Sequence, residues 1–341
     1  MNITPSRLLK PAAVVATTLV MTLPTLGQEA TTPPPIDTPN ERRPPIASRD
    51  GNLPPRPSRT PAVPEPQFGV SVIGITQLET DLKTGGGNFS KWGADALFSY
   101  RMFPTLDSSV RILARYKFSS YDWSDVPATT MGGPEPWEDI NKVTLGAIIS
   151  GRLDNTWSLF GGPIFEMAWE SGASVKDSLS GGGLIGLTAK INDDLEFGGG
   201  VGVITELEDS VRWFPVISLD WQLSDRWSLQ NQSAVSVAGT GLELVYEASA
   251  EWELAFGMIY QLDRFRLSES STSSPDGVGQ DEHWNVWFRA TWAPSTRTEF
   301  NVYAGFTTGG ELELVDTNKV TRDIRDYEIT PSFGVSFVYR F

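Results

Sequence analysis

The sequence predicts an all-β fold, a transmembrane up-and-down antiparallel β-barrel of about fourteen strands. Three observations support this prediction. From Phe68 onward, apolar residues recur at every second position over segments of about nine to eleven residues, the period of a strand and not of a helix. A short polar turn sequence recurs between many of these segments, and longer loops separate the others. The last segment, residues 331–341, shows the clearest alternation.

The composition excludes several other classes of protein. The chain has 341 residues, a formal net charge of −15 and no cysteine. Beyond the N-terminus it has no run of about 18 apolar residues, so a helical membrane protein is excluded, whereas barrel strands alternate and look soluble on average. The lack of cysteine excludes disulfides, thiolate metal sites and a lipid attached to an N-terminal Cys. The acidic balance argues against nucleic acid as a partner.

Two N-terminal segments differ from the rest of the chain. Residues 1–27 have the pattern of a secretory signal peptide, with Arg7 and Lys10 ahead of an apolar stretch that is too short to span a bilayer, and with small residues before a cut after Gly27. Residues 28–67 contain 12 of the 24 prolines and equal numbers of acidic and basic residues. This second segment is expected to be disordered or polyproline-like. The barrel is therefore expected at residues 68–341.

A repeated turn sequence marks the short connections. Each copy has about three mostly polar residues, then an apolar or small residue, a polar one and an apolar one, which predicts a tight hairpin. The copies lie at 153–159, 191–197, 223–229 and 248–254, with looser copies at 104–110 and 294–300. Longer loops rich in Gly, Ser, Asp and Thr are predicted at 123–139, 171–181, 268–281 and 315–330.

The final segment has one strongly apolar face. That face carries five large residues: Phe333, Val335, Phe337, Tyr339 and Phe341. The pattern resembles the C-terminal strand of Gram-negative outer-membrane β-barrel proteins, which the barrel-insertion machinery reads by its terminal Phe. The resemblance concerns the architecture of residues 68–341 and identifies no subfamily. It implies that the chain lies in the cell outer membrane against lipid and lipopolysaccharide, with Phe337, Tyr339 and Phe341 as the insertion signal.

The resemblance also implies on which side of the outer membrane the connections lie. The short turns are expected in the periplasm and the long loops outside the cell. The alternation places strands at 68–79, 89–103, 108–121, 140–153, 157–170, 182–192, 195–206, 211–223, 227–237, 241–249, 252–267, 282–293, 298–314 and 331–341. A misread hairpin at 227–249 would make the count twelve or sixteen. Pro163 and Pro215 fall inside strands, where each removes a hydrogen-bond donor, so local bulges are expected there.

Strand parity separates a lipid-facing side from a lumen side. The outer rows carry large apolar residues with tryptophan near both ends, as in an aromatic girdle. These rows are Trp157, Leu159, Phe165, Met167 and Trp169; Trp213, Ile217, Leu219, Trp221 and Leu223; Trp252, Leu254, Phe256, Met258, Tyr260 and Leu262; and Trp284, Val286, Phe288, Ala290 and Trp292.

The opposite face carries the charged residues. A basic arc is formed by Arg101, Arg111, Arg115, Lys117, Lys142, Arg152 and Arg340, and an acidic arc by Glu166, Glu196, Asp220, Glu243, Glu247 and Glu253. Asp95 is an exception in the first arc, as are Lys190 and Arg212 in the second. Gly198, Gly200 and Gly202 are expected to leave space between the charges. The two arcs either produce a transverse field across a water-filled pore or pair across the lumen and close it.

The sequence offers little for chemistry. His283 is the one histidine, is expected at the rim of the barrel, and has no Ser two residues further on, so no enzyme is predicted. One His and no Cys argue against a transition-metal site, and the acidic loops lack fixed Ca²⁺-ligand spacing. Gly85–Gly87 and Gly181–Gly183 do not join a strand to a helix, so neither predicts a phosphate loop. No cofactor is expected.

The leading functional hypothesis is a porin-like passive channel for small polar solutes, with the lumen charges as its filter. The alternative is a closed or plugged barrel that serves as a membrane anchor or surface-binding structural protein. In that alternative, residues 28–67 reach toward peptidoglycan or fold into the lumen. They are too Pro-rich and polar to resemble the compact apolar hatch of the fatty-acid transporters, which also have fourteen strands.

Overall fold

The structure is a computed structural model that describes residues 64–208, 211–231 and 241–341. Fifteen strand segments account for most of these residues. They are β1 (Gln67–Asp81), β2 (Asn88–Thr105), β3 (Ser108–Ser124), β4 (Asp139–Arg152), β5 (Trp157–Glu170), β6 (Leu179–Lys190), β7 (Leu195–Thr205), β8 (Val211–Ser224), β9 (Trp227–Asn231), β10 (Gly241–Glu247), β11 (Trp252–Arg266), β12 (Val278–Ser295), β13 (Thr298–Val315), β14 (Thr321–Asp326) and β15 (Thr330–Arg340). A single turn of 3-10 helix, Lys176–Ser178, precedes β6.

The strands form one closed antiparallel barrel. Each strand from β1 to β13 pairs with its neighbour in the chain, and β15 pairs with both β13 and β1, from Gly69↔Arg340 to Gln77↔Ser332. The short β14 pairs only with the end of β13 and continues the position of β15, so the fifteen segments occupy fourteen barrel positions. The predicted fourteen-stranded up-and-down barrel is confirmed.

Alternation along each strand determines which side chains enter the lumen. In β11 the side chains of Trp252, Leu254 and Phe256 are exposed on the outside, whereas those of Ala255 and Ile259 are buried within. The other predicted outer rows follow the same parity. Apolar surface exposed to water costs about 25 cal/mol per Å², so an outer face of this kind is suited to lipid.

Short hairpin turns connect neighbouring strands at one end of the barrel, at the positions of the predicted turn copies. In the turn between β4 and β5 the N–H of Leu153 donates to the carbonyl oxygen of Trp157 at 2.8 Å. The backbone N–H groups of Thr156 and Trp157 donate to Asp154 at 2.7 and 2.8 Å, and these two bonds hold the pKa of the Asp154 carboxyl below its usual range. Equivalent backbone bonds close the turns after β6 and β10.

Two predicted loops contain strand. β12 begins at Val278, inside the predicted loop 268–281, and β14 lies inside the predicted loop 315–330. β14 pairs with β13 from Glu311↔Asp326 to Val315↔Thr321. Its sequence is polar because it extends the barrel beyond the apolar outer rows, so hydrophobic alternation could not mark it.

The predicted bulges at the two prolines are wrong. Pairing between β4 and β5 lacks two rungs around Pro163, but Gly146↔Ile164 and Ile149↔Gly161 keep the same register on either side. Pro215 pairs with Val201 in an unbroken β7–β8 register. The missing N–H groups interrupt hydrogen bonding at most and insert no extra residue.

Among the described residues, no helix is long and apolar enough to cross a membrane. The predicted signal peptide, residues 1–27, lies outside the described residues, as does the Pro-rich segment up to residue 63. The first strand begins at Gln67, one residue before the predicted barrel boundary.

Candidate functional site: the barrel lumen

Apolar and aromatic side chains pack together inside the barrel at the long-loop end. We call this group the cap; its members include Phe89, Tyr121, Met131, Trp137, Phe265, Leu312, Leu314 and Tyr327. Met131 and Trp137 come from the loop after β3, which folds inward so that both side chains are fully buried. The Trp123 indole N–H donates to the carbonyl oxygen of Trp137 at 2.6 Å, and the Met131 N–H donates to Asp323 Oδ2 at 2.7 Å.

Opposite walls of the barrel also meet at this end. β5 and β11 lie six positions apart in the sheet, yet Trp169 and Arg266 form a parallel bridge between them. The carboxylate of Glu170 joins two loops nearby, accepting from the backbone N–H groups of Ser268 at 2.8 Å and Glu138 at 3.1 Å. The long-loop mouth is therefore flattened, and backbone contact divides it.

A polar cluster around Asp281 lies beneath the cap. One carboxylate oxygen accepts from Lys91 Nζ and Tyr121 Oη, each at 2.7 Å, and the other accepts from Tyr327 Oη at 3.0 Å. His283 Nδ1 is 3.0 Å from Asp281 Oδ1. The carboxylate is thus fully buried, but it is held by a cation and two phenols.

A second cluster surrounds Asp263 on β11. Its carboxylate lies 2.6 Å from Lys117 Nζ and 3.4 Å from Lys142 Nζ, which reach it from β3 and β4 across the lumen. Lys142 also pairs with Glu166 at 2.9 Å. Because the flattened section brings β11 close to β3 and β4, residues of four strands, β3, β4, β5 and β11, share one ion-pair network.

Two further ion pairs line the walls. Arg115 donates through Nε to both oxygens of Asp95 at 2.9 Å, between neighbouring strands. Arg289 Nη2 pairs with Glu243 Oε2 at 2.9 Å, while the Trp287 indole N–H donates to Glu243 Oε1 at 2.8 Å. Each of these carboxylates is buried and satisfied by charge-assisted hydrogen bonds.

An apolar cluster lies on the inner face of the wall from β2 to β8, beside the charged residues of the same strands. We call this group the wall cluster: Leu97, Leu113, Ile148, Phe160, Ile164, Leu184, Phe214 and Val216. Glycines make room for its rings, since a Cβ added at Gly202 would lie 1.9 Å from the ring of Phe214. The space expected beside Gly202 is thus filled by an aromatic ring and not left open to water.

Beside these groups, on the β12–β2 side, the lumen holds two adjoining cavities. Each has a volume of about 50 Å³ and is partly open, and the two share Ile75, Gln261, Asn285 and Ser332 as wall residues. Together we call them the lumen cavity. The lining is mixed, with Ile73 as well as the shared isoleucine, and with the amides and hydroxyls just named.

The predicted basic arc divides between two environments. Arg115, Lys117 and Lys142 enter the buried ion pairs just described. Toward the short-turn end, Arg101 donates to Ser109 Oγ at 3.1 Å and Arg111 lies close to it. The other two members of the arc make exposed pairs, Arg152 with Asp107 at 3.3 Å and Arg340 with Glu299 at 2.5 Å.

The predicted acidic arc divides in the same way. Glu166 and Glu243 enter the buried pairs, and Glu253 lies 3.5 Å from Arg289. Glu196 and Asp220 face each other as paired residues on β7 and β8 near the short-turn end. Glu247, at the end of β10, is exposed. Lys117 and Lys142 thus reach across the lumen to Asp263, whereas the paired members of the acidic arc contact residues one or two strands away and the remainder lie near the short-turn mouth.

Sequence reasoning missed the two carboxylates that organise the lumen, Asp263 and Asp281. Asp263 has inward parity on β11, which could have revealed it, but Asp281 was assigned to a loop. The expected rim position of His283 is wrong, because β12 begins earlier than predicted and His283 is buried inside the barrel. Its Nε2 lies 3.1 Å from Gln261 Oε1, so both ring nitrogens have partners.

The residues predicted as the insertion signal keep their predicted face. Phe337 and Phe341 are exposed on the outside of the barrel, and Tyr339 is half-buried with its ring against that of Phe341. Phe341 also contacts the ring of Phe68 on β1, with 5.1 Å between centroids.

No protein-family model and no curated protein matches the chain. Several solved structures are similar at low identity. One is an outer membrane channel from Pseudomonas putida F1, at 11% identity and a TM-score of 0.43, covering 84% of this chain and 99% of that one. Another is a FadL homologue from Pseudomonas aeruginosa, at 13% identity and a TM-score of 0.42, covering 80% of this chain and 89% of that one. A third is the KdgM porin, at 11% identity and a TM-score of 0.32, covering 80% of this chain and 99% of that one. Similarity at this level adds nothing to the barrel architecture already described.

Proposed function

We propose that the chain is an outer-membrane channel that admits small polar solutes passively, with the lumen charges as its filter. The observation that carries this proposal is a polar, incompletely filled lumen inside a wall whose outer face is apolar. The outward tryptophans near the strand ends, among them Trp157, Trp213 and Trp252, support placement in a bilayer.

The chemistry of the lumen favours transport over simple anchoring. Buried ion pairs stabilise a fold little, because desolvation offsets most of their attraction, and apolar side chains of similar volume often do better. A barrel needed only as an anchor gains nothing from the Lys117–Asp263 or Arg289–Glu243 pairs. A solute path requires polar groups that can exchange partners with what passes.

The filter that we propose differs from an open transverse field. The charges near the middle of the barrel are paired at 2.6 to 2.9 Å, so an ion that reaches this section finds no uncompensated counter-charge there. An uncharged solute does not need a counter-charge in the lumen. The channel should therefore conduct ions poorly and admit neutral solutes more readily.

Planar-bilayer recording tests this proposal. The reconstituted full chain should give small ion steps, and Trp137→Ala should enlarge them because it removes the largest fully buried side chain of the cap. Trp213→Ala is the matched control, since Trp213 points out of the barrel and its loss should leave the step size unchanged. If neither the wild type nor Trp137→Ala gives ion steps, the channel proposal fails.

A closed barrel that acts as an anchor is the second candidate. It is favoured by the bridge between Trp169 and Arg266, which joins opposite walls across the mouth. Deleting residues 28–63 separates two versions of it. A sharp rise in conductance would identify the Pro-rich segment as a plug, whereas no change would identify it as a tether toward peptidoglycan.

A further inference from the structure

The lumen cavity contains a buried polar atom without a partner. Gln77 lies on β1, is 3% exposed, and borders the part of the cavity next to β2 and β3. Its amide nitrogen Nε2 makes no hydrogen bond to any described residue. A buried donor left unsatisfied costs about 1–3 kcal/mol, so this position calls for an acceptor supplied from elsewhere.

The charged groups around the cavity are already occupied. Lys91 pairs with Asp281, and Lys117 pairs with Asp263. Asp95, the third charged residue of the wall, is held by Arg115. Because every one of these charges has a close partner of opposite sign, a charged ligand would enter without a counter-charge and lose its hydration.

The remaining lining is apolar or neutral. Ile73 and Ile75 of β1 line the first part of the cavity, and Ile75, Ile259 and Trp287 line the second part. Ser332 and Asn285 are neutral and lie at the junction of the two parts. The combination of apolar side chains with neutral amides and hydroxyls is typical of a site for a small molecule.

We propose that the lumen cavity binds a small neutral molecule that has an apolar body and one hydrogen-bond acceptor, with the acceptor on Gln77 Nε2. The acceptor is a carbonyl, ether or hydroxyl oxygen, and the body packs between the isoleucines and Trp287. This inference deepens the proposed channel function by naming a solute class, and its binding test does not depend on conduction.

Binding of cyclohexanone to the full chain in detergent micelles tests the site, measured by ligand-observed NMR with protein-free micelles subtracted. Cyclohexanone should bind saturably. Cyclohexanecarboxylate and cyclohexylammonium, which share the ring, should bind at least about tenfold more weakly because a buried unpaired ion is costly. Equal binding of all three, or no saturable binding of cyclohexanone, would overturn the proposal.

Variants assign the acceptor contact. Gln77→Leu should weaken cyclohexanone about fivefold, the equivalent of one net hydrogen bond, and leave methylenecyclohexane, which lacks the oxygen, unchanged within about twofold. Gln67→Leu is the matched control, since Gln67 is an exposed residue of the same strand. Ser332→Phe should fill the cavity and abolish binding of both ligands, with circular dichroism confirming the fold.

The outcomes separate this inference from the channel proposal. Saturable cyclohexanone binding without ion steps or solute flux would remove the channel and keep the site. Flux without binding would keep the channel and remove the site. Equal weakening of cyclohexanone and methylenecyclohexane by Gln77→Leu would show that Gln77 acts through packing alone and would overturn the assigned contact.

Discussion

Removing the carboxylate of Asp263 tests the ion-pair network at its centre. Asp263→Asn keeps the size of the side chain but leaves Lys117 without its partner at 2.6 Å and deprives Lys142 of its second acceptor at 3.4 Å. Breaking a buried ion pair by removing one partner costs about 3–5 kcal/mol, because the remaining charge stays desolvated. Lys142 keeps Glu166 at 2.9 Å, so the loss should lie near the lower end, about 3 kcal/mol.

Urea unfolding of the detergent-solubilised barrel, followed by tryptophan fluorescence, measures this loss. For a slope of about 1–3 kcal/mol per M, a loss of 3 kcal/mol lowers the midpoint by about 1–3 M. The double variant Asp263→Asn with Lys117→Met should recover at least half of the shift, because it removes the unpaired ammonium. In planar bilayers Asp263→Asn should also shift selectivity toward anions.

An exposed pair supplies the control for this experiment. Asp193 lies 2.8 Å from Lys190 in the turn after β6, and both side chains are largely in solvent. Asp193→Asn should leave the urea midpoint unchanged, because exposed ion pairs add little. A midpoint shift below about 0.5 M for Asp263→Asn, or no recovery in the double variant, would refute the argument that the network is buried and coupled.

Three further predictions follow from the packing and the C-terminus. Gly202→Ala should lower the urea midpoint because its Cβ would lie 1.9 Å from an aromatic ring. Gly74→Ala is the control and should leave the midpoint unchanged, because no atom lies within 4 Å of an added Cβ. Equal shifts would contradict the packing of that ring against β7 inside the barrel. Trp137→Ala should cost about 3–5 kcal/mol in the same assay, as expected for a large buried aromatic, and a loss under 1 kcal/mol would mean that the cap is not packed. Deleting Phe341 should reduce the folded protein recovered from outer-membrane fractions, scored by heat-dependent gel mobility, whereas Phe341→Tyr should restore much of it; normal recovery of the deletion would contradict its role as an insertion signal.

The strand positions could be predicted because the alternation of apolar residues on the outer face is a local property of the sequence. Trp252, Leu254 and Phe256 identify an outer face without reference to any other strand. β14 could not be found in the same way, because it extends the barrel outside that apolar band and its residues are polar. The proline inside β5 led to a wrong prediction of a bulge, because the missing N–H at Pro163 interrupts the hydrogen-bond ladder without changing its register.

The lumen was harder to predict than the wall. Parity showed that Lys117 and Lys142 face inward, but it could not show that the barrel is flattened, and only the flattening brings Asp263 within reach. The sequence also could not show what fills the space beside the glycines of β7. A missing side chain leaves space, and whether water or a ring such as that of Phe214 fills the space depends on a neighbouring strand.

Uptake of neutral solutes by proteoliposomes tests the channel proposal most directly. Vesicles that contain the full chain should admit a small neutral solute such as glycerol faster than protein-free vesicles, and should admit it more readily than sodium chloride. They should exclude a tetrasaccharide, because the cap and the wall cluster fill much of the lumen. Glycerol uptake equal to that of protein-free vesicles would contradict the channel proposal. It would leave the second candidate, a closed barrel that acts as a membrane anchor.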